Sequence, residues 1–196
     1  MNVYDFDGTI YAGDSTADFT LYCIRKQARV LRALPRWVRA AVQAASGYLT
    51  NRGAWNKTGC KEQFYSYLPM VKDMPGTLDR FWAGHERKIY KWYKDVKRPD
   101  DVIISAGPRF LLEPICARMG VTLIASEVDP ATGKCGGRNC HGETKVARFK
   151  ERYPHAEVEA FYSDSTSDLP MARLAQRAYR VRHGRVAEWR GASAPS

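Results

Sequence analysis

The chain has 196 residues, enough to bury one good core and short for two independent domains of ordinary size. Its hydrophobic content of 44% and aromatic content of 12% are those of a globular protein, and no run of 18 or more uncharged apolar residues occurs, which argues against a transmembrane helix. The formal charge is +10, from 31 Lys and Arg against 21 Asp and Glu, and points toward anionic partners or a solvated basic face.

Met1-Asn2 runs directly into Val3-Tyr4-Asp5-Phe6-Asp7, which already reads as structure. That leaves no room for a signal peptide, so a cytoplasmic location is expected. Val3 to Phe6 is a short apolar stretch ending in acids and Gly8-Thr9, as a buried strand would if its C-terminal end carried a site. From about residue 15 to 98 the texture changes to helical periodicity with no convincing strand. This segment holds 17 basic and 6 acidic residues, a balance of +11, whereas the rest of the chain holds 14 and 15, a balance of −1. Leu34, Trp37 or Val38, Ala41, Ala45 and Tyr48 or Leu49 fall near one helical face, with Pro35 starting or kinking that helix. Pro99-Asp100-Asp101 marks the return, because the residue before a proline is biased away from helix.

Beyond the return, Val102-Ile103-Ile104-Ser105, Val121 to Ala125 and Ala160 to Ser163 are strand candidates, with Tyr179-Arg180-Val181 a weaker one. Phe110 to Met119, Lys145 to Arg152 and Leu169 to Gln176 have helical spacing. Strands alternating with helices predict an α/β fold, a Rossmann-like parallel sheet covered by helices on both faces. The expected organisation is a core of residues 1–14 and 99–196 with a helical cap, 15–98, inserted after the first strand. Five cysteines, at 23, 60, 116, 135 and 140, are an odd number and widely spread, so reduced thiols are the default. Cys135, Cys140 and His141 lack a second ligand pair at zinc-site spacing and read better as flap residues than as metal ligands.

Asp5 and Asp7, two residues apart, share a face in a regular strand and suit metal-assisted chemistry, although two solvated acids at a strand end would look the same. Ser163-Asp164-Ser165-Thr166-Ser167-Asp168 supplies a second acidic pair after an apolar run. These acids either complete a cation site or cap the next helix. Lys145 could neutralise a phosphorylated intermediate, and Ser105 with Ala106-Gly107 could contact phosphate near a helix start or serve only as a turn.

Taken in order, Asp5-Phe6-Asp7-Gly8-Thr9, Ser105 with Ala106-Gly107, Lys145, and Asp164 through Asp168 resemble the motifs of the haloacid dehalogenase superfamily of phosphatases. The resemblance is to the phosphoserine-phosphatase-like branch, with a helical cap after the first strand. It implies a phosphate-monoester hydrolase in which Asp5 attacks phosphorus and Asp7 first protonates the leaving group, then activates water. It implies Mg²⁺ held by Asp5, Asp164 and the Asp7 main-chain carbonyl, with Asp168 acting through water or by orienting Lys145, and phosphate bound by Ser105 and Lys145. Gly8, Thr9, Asp14, Ala106 and Gly107 are the implied substrate-side residues. Asp14 stands where phosphoserine phosphatases carry Glu.

A small anionic phosphate ester is thus the expected partner. A lipid phosphate of the phosphatidylglycerophosphate kind is the alternative, because Trp37, Trp55, Trp82 and Trp92 all lie in the basic segment and suit a membrane surface. The same aromatics would equally form the cap's own core against the catalytic domain. A phosphate-binding module without turnover is the alternative from another class. No nucleic-acid motif occurs, and nucleic acid is not expected.

Overall fold

The structure, a computed structural model, describes residues 1–39, 41–42 and 57–192, with residues 57–60 as backbone alone. Six strands form one sheet: β1 (Asn2–Tyr4), β2 (Val102–Pro108), β3 (Thr122–Ser126), β4 (Val158–Ser163), β5 (Ala175–Arg182) and β6 (Arg185–Glu188). Their order is β3-β2-β1-β4-β5-β6, parallel throughout except that β6 runs antiparallel to β5. Connections leave β1 toward β2 on one side, and β4 flanks β1 on the other. In parallel sheets such a switch point opens a crevice at the carboxyl ends of the strands.

Period-two alternation assigns the two faces. Val3, Val102, Ile104, Ile124 and Phe161 face one cluster, closed by Phe149 of α6 (Glu143–Arg152) and Met171 of α7 (Leu169–Ala172). Tyr4, Ile103, Leu123 and Ala125 face the other. That face is covered by α1 (Ser15–Lys26), α3 (Met74–His85), α4 (Lys91–Val96) and α5 (Arg109–Met119). Phe19, Phe81, Trp82 and Tyr93 of the inserted segment lie in the same cluster as Phe6, Leu111 and Ile115. The insert's helices and the sheet therefore share one core. A further helix of the insert is α2 (Lys57–Tyr65).

The insert leaves and rejoins through a paired neck. Ala12 N–H donates to the Lys88 carbonyl at 2.8 Å and Tyr90 N–H to the Ile10 carbonyl at 2.9 Å, with Tyr11 bridged to Ile89. Asp18 accepts from both Tyr11 and Lys88 across this neck.

Several expectations need correction. The periodic stretch from Leu169 to Gln176 is one helical turn ending at Ala172, after which Ala175 begins β5. The ladder to β4, which pairs Val158 with Ala175 and Phe161 with Ala178, outweighs local helical spacing. Strand β6 was not anticipated. It follows a two-residue turn in which His183 and Gly184 both have positive φ, 50° and 76°, the conformation that suits a tight hairpin. In the segment around Pro35, residues 34–39 and 41–42 are helical, but Leu34 and Val38 are 51% and 54% exposed. Among the described residues of that face only Trp37 packs inward, against Phe64 and Tyr67. Ala45, Tyr48 and Leu49 lie outside the described residues.

The tryptophans at 37, 82 and 92 are packed. Trp82 is fully buried, its indole N–H donating to the Leu111 carbonyl at 2.7 Å, and Trp92 lies against the rings of Tyr4 and Tyr162. Trp55 lies outside the described residues. Among the described residues, no helix is long and apolar enough to cross a membrane.

Candidate active site

Strand β1 ends at Tyr4, and Asp5 N–H continues its ladder by donating to the Tyr162 carbonyl at 2.9 Å. The chain then turns tightly, the amides of Thr9, Ile10 and Tyr11 converging on the Phe6 carbonyl at 3.0–3.3 Å. Gly8 enables this turn with φ of +72°, and it also makes room: a Cβ there would sit 2.2 Å from Asp164 Oδ2. Asp164, just past β4, donates its N–H to Thr9 Oγ1 at 2.9 Å, so the two acidic segments are tied together at the main chain. Thr9 is fully buried by this role and leaves nothing open to a ligand.

Lys145, in the first turn of α6 and only 2% exposed, spans 2.7 Å to Asp5 Oδ1 and 2.7 Å to Asp168 Oδ2. Ser163 Oγ donates to the same Asp168 oxygen at 2.8 Å. Asp168 is buried, and its Oδ2 accepts from both Lys145 and Ser163. Burial alone would lower the Lys145 pKa, but Asp5 and Asp168 outweigh it and hold the ammonium above its ordinary value. Burial raises the Asp5 pKa, opposed by Lys145. Asp5 Oδ2 has no protein partner among the described residues.

Asp7 has a different environment. Its Oδ1 accepts from Ser15 N–H at 2.6 Å, at the N-terminus of α1, where the helix amides favour an anion. Burial nevertheless dominates and pushes its pKa up to about 7. Its Oδ2 faces the bulged end of β2, where a Cβ on Gly107 would stand 3.6 Å away. Ser105, buried at the end of the regular part of β2, accepts from Gly107 N–H at 3.0 Å and shapes that bulge. Asp14 caps α1, accepting from Ala17 N–H at 2.9 Å.

A cavity of about 690 Å³ lies over Asp7, Ala106 and Gly107 and is bounded by Asp14 and, from the insert, by Lys61 and Tyr65. Lys61 and Asn139 were missed in the sequence. One is a lysine among many in the basic segment and the other a loop residue, and only packing brings them to the site.

The donor chemistry fits Mg²⁺. Asp5 and Asp164 are oxygen donors just past the ends of adjacent strands, and burial raises the pKa of Asp164. Three carboxylates, Asp5, Asp164 and Asp168, act on one another against two cations, the buried Lys145 and Arg180 beside Asp164. Among the described residues no three Asp, Glu, His or Cys side chains form a closed metal cluster. Magnesium needs fewer, since it keeps several waters and binds through one or two carboxylates plus substrate phosphate. Cys135 and Cys140 are free thiols, and Cys140 is buried in the sheet core.

A parallel sheet with a lysine-bridged carboxylate and a near-neutral second acid at the end of its central strand defines an α/β enzyme built to handle an oxyanion. The chain belongs to the haloacid dehalogenase-like hydrolases, whose family model matches residues 3–173. A comparison with curated proteins gives no match. Among solved structures it resembles a Bordetella pertussis Tohama I protein of unknown function, at 22% identity and TM-score 0.70, over 91% of this chain and 87% of that one. It also resembles a phosphoserine phosphohydrolase-like protein from Francisella tularensis subsp. tularensis SCHU S4, at 13% identity and TM-score 0.51, over 91% and 86% of the two chains. A substrate-bound phosphoserine phosphatase matches at 13% identity and TM-score 0.52, over 90% and 82%. These are likenesses of fold.

Proposed function

We propose that this hydrolase is a Mg²⁺-dependent phosphoric monoester hydrolase working through an aspartyl-phosphate on Asp5. The observation that carries the proposal is the unequal treatment of two acids two residues apart. Asp5 has a buried lysine at 2.7 Å and a pKa that burial raises to about 6 against it, whereas Asp7 has no ion pair among the described residues and is raised to about 7. The lysine favours the carboxylate form of Asp5, the nucleophile, and Asp7 is suited to exchange protons at neutral pH.

In the first step an Asp5 oxygen bonds to phosphorus as the bond from phosphorus to the alcohol oxygen breaks, and Asp7 gives that oxygen its proton. In the second, water loses a proton to Asp7 and attacks phosphorus, releasing phosphate and restoring the Asp5 carboxylate. Lys145 and Ser105 receive phosphate oxygens, with Asp168 holding Lys145 in place. Bound Mg²⁺, held by Asp5, Asp164 and the Asp7 carbonyl, would supply neutralisation of phosphate charge. Phosphoserine is the first substrate to try, given the fold's relatives. The charge of the insert keeps a lipid phosphate as the alternative, and among the described residues Trp37, Trp82 and Trp92 pack inward and lend it no support.

The test is phosphate release from a panel of monoesters with Mg²⁺, with and without excess chelator. Asp5→Asn should abolish both product and phosphoenzyme. Asp7→Asn should slow turnover by about 10² to 10⁴ and trap a hydroxylamine-sensitive acyl phosphate when the leaving group is good. Full activity in chelator, or normal turnover by Asp5→Asn, overturns the mechanism. Binding of esters without release returns the chain to a phosphate-binding module.

A further inference from the structure

We propose that one face of the hairpin formed by β5 and β6 is a second anion site, outside the catalytic cavity, that receives a small anion made of linked phosphates. It does not depend on the phosphatase reading.

From Arg173 to Arg190 the chain carries six arginines against one glutamate, with no lysine. The hairpin sorts these residues by face. Successive strand residues point to opposite sides, so Arg180 and Arg182 share one of them. The register sets Arg182 opposite Arg185 and Arg180 opposite Ala187, which puts Arg185 on that face too. Glu188 stands opposite Tyr179, on the other face. Among the described residues none of the three arginines has a carboxylate within 4.0 Å, and only Arg180 has an acid, Asp164, beside it. With His183 and Ala187 they line a cavity of about 620 Å³.

Two details separate this face from a merely solvated basic edge. Arg182 and Arg185 are like charges placed directly opposite across a ladder, an arrangement that destabilises a strand pair. Arg180 is meanwhile fixed from two sides: its guanidinium lies 4.6 Å from the centre of the Trp189 ring, and its Nη2 donates to the Asp164 carbonyl. Its Nε is enclosed and has no hydrogen-bond partner among the described residues. An anion entering the cavity relieves both the repulsion and the unmet donor. Charge on an edge strand also keeps other strands away, but dispersed side chains would do that without a fixed guanidinium or an enclosed donor.

The chemistry of the face selects the ligand. Guanidinium groups are planar forks that match phosphate oxygens two at a time, and the β-carbons of a directly opposed pair stand about 5 Å apart. Cations this close fit an anion whose charges are equally close, as in linked phosphates. A lipid surface would need apolar anchors beside the arginines, and Val186, the exposed large apolar residue of the hairpin, pairs with Val181 on the opposite face. A nucleic-acid strand would need an aromatic surface for its bases, and the Trp189 ring already carries Arg180.

The experiment is a calorimetric titration of the full chain with tripolyphosphate, without Mg²⁺, which this anion would sequester. Salt is held at about 0.15 M, where exposed charges are screened beyond about 8 Å. The wild type is compared with Arg182→Gln combined with Arg185→Gln, and with both positions changed to Lys. A control for net charge combines Arg87→Gln with Lys94→Gln, two exposed cations of the insert without ion pairs among the described residues. The glutamine pair at the hairpin should weaken binding by about 10- to 100-fold, the size of a hydrogen bond to a charged group, the lysine pair should keep part of it, and the control should stay near the wild type. Without the anion, the urea midpoint of the hairpin glutamine variant should match or exceed that of the wild type, because a like-charged pair has been removed. Equal weakening in the hairpin and control variants leaves only net charge, and undiminished binding by the hairpin variant sends tripolyphosphate to the catalytic cavity; either result overturns the inference. So does a wild type that binds no tripolyphosphate. A short thymidine oligonucleotide titrated alongside should bind more weakly than tripolyphosphate; tighter binding that is lost in the hairpin variant would make the face a nucleic-acid surface and overturn the inference as well.

Discussion

Replacing Gly8 by Ala puts a measurable strain on the acidic site. The new Cβ would lie 2.2 Å from Asp164 Oδ2 and 2.6 Å from its Cγ, where ordinary contact begins near 3.4 Å. The Asp164 carboxylate must therefore retreat by roughly 1 Å, a displacement of the kind that can cost a site about 10² in rate. Its main chain cannot follow, because Asp164 N–H is held by the buried hydroxyl of Thr9 at 2.9 Å. The backbone adds its own term, since an alanine held at φ of +72° costs about 1–2 kcal/mol. The two consequences can be measured separately. Urea unfolding should give a lower midpoint at unchanged m-value, and kcat/KM should fall about 100-fold with a raised Mg²⁺ requirement. A variant that loses only stability and keeps the wild-type Mg²⁺ dependence would refute the assignment of Asp164 to the metal.

Asp7 predicts a pH dependence of two kinds. Its pKa is raised to about 7 from an unfolded value near 4, so between these limits the folded state holds a proton the unfolded chain has lost, and stability falls as pH rises through this window. Asp7→Asn should therefore gain on the wild type by an amount on the order of 1–3 kcal/mol between pH 4 and pH 8, and a constant difference across that range would refute the shift. Hydrolysis should also decline above pH 7 as the proton-donating form of Asp7 is depleted, and a rate still rising at pH 9 would remove Asp7 as the acid. Lys145→Met leaves Asp5 and Asp168 buried without their cation, which should destabilise by about 3–5 kcal/mol near neutral pH. The loss should shrink as acid protonates the two carboxylates, and denaturation midpoints at pH 5 and pH 8 that fall equally would count against the pair.

What the sequence disclosed depended on distance along the chain. Asp5, Asp7 and Gly8 were legible because a strand end and a tight turn are local, and neighbouring residues sufficed to place them together. Ser105, Lys145, Asp164 and Asp168 were legible through motif order, and the structure gathers them at the same end of the sheet. The supporting partners were not. Thr9 looked like a ligand contact, yet its hydroxyl serves a residue 155 positions away. Lys61 and Asn139 are 78 positions apart and meet only because α2 packs over the loop between β3 and α6. Tyr179-Arg180-Val181 was legible as strand, but the start of β5 was obscured by alanines that fit a helix as readily as a buried strand, and β6 by a His-Gly turn weaker as a signal than Asn-Gly.

The paired neck at residues 10–12 and 88–90 has a consequence for how such a chain can change over time. Its hydrogen bonds close the insert into a loop whose ends are already joined where they leave the sheet. Residues added or removed between the core-packed helices of the insert change the length of a loop whose ends are already joined, and each doubling of a flexible loop costs about 0.6 kcal/mol. Strands β1 and β4 meanwhile sit side by side at a spacing of about 4.8 Å, set by main-chain hydrogen bonds that take no account of what lies between Ser15 and Arg98. Apart from the side chains it gives to the shared core, such as Phe19, Phe81 and Trp82, the insert can exchange the side chains that line the cavity while the main chain at Asp5 keeps its pairing with β4.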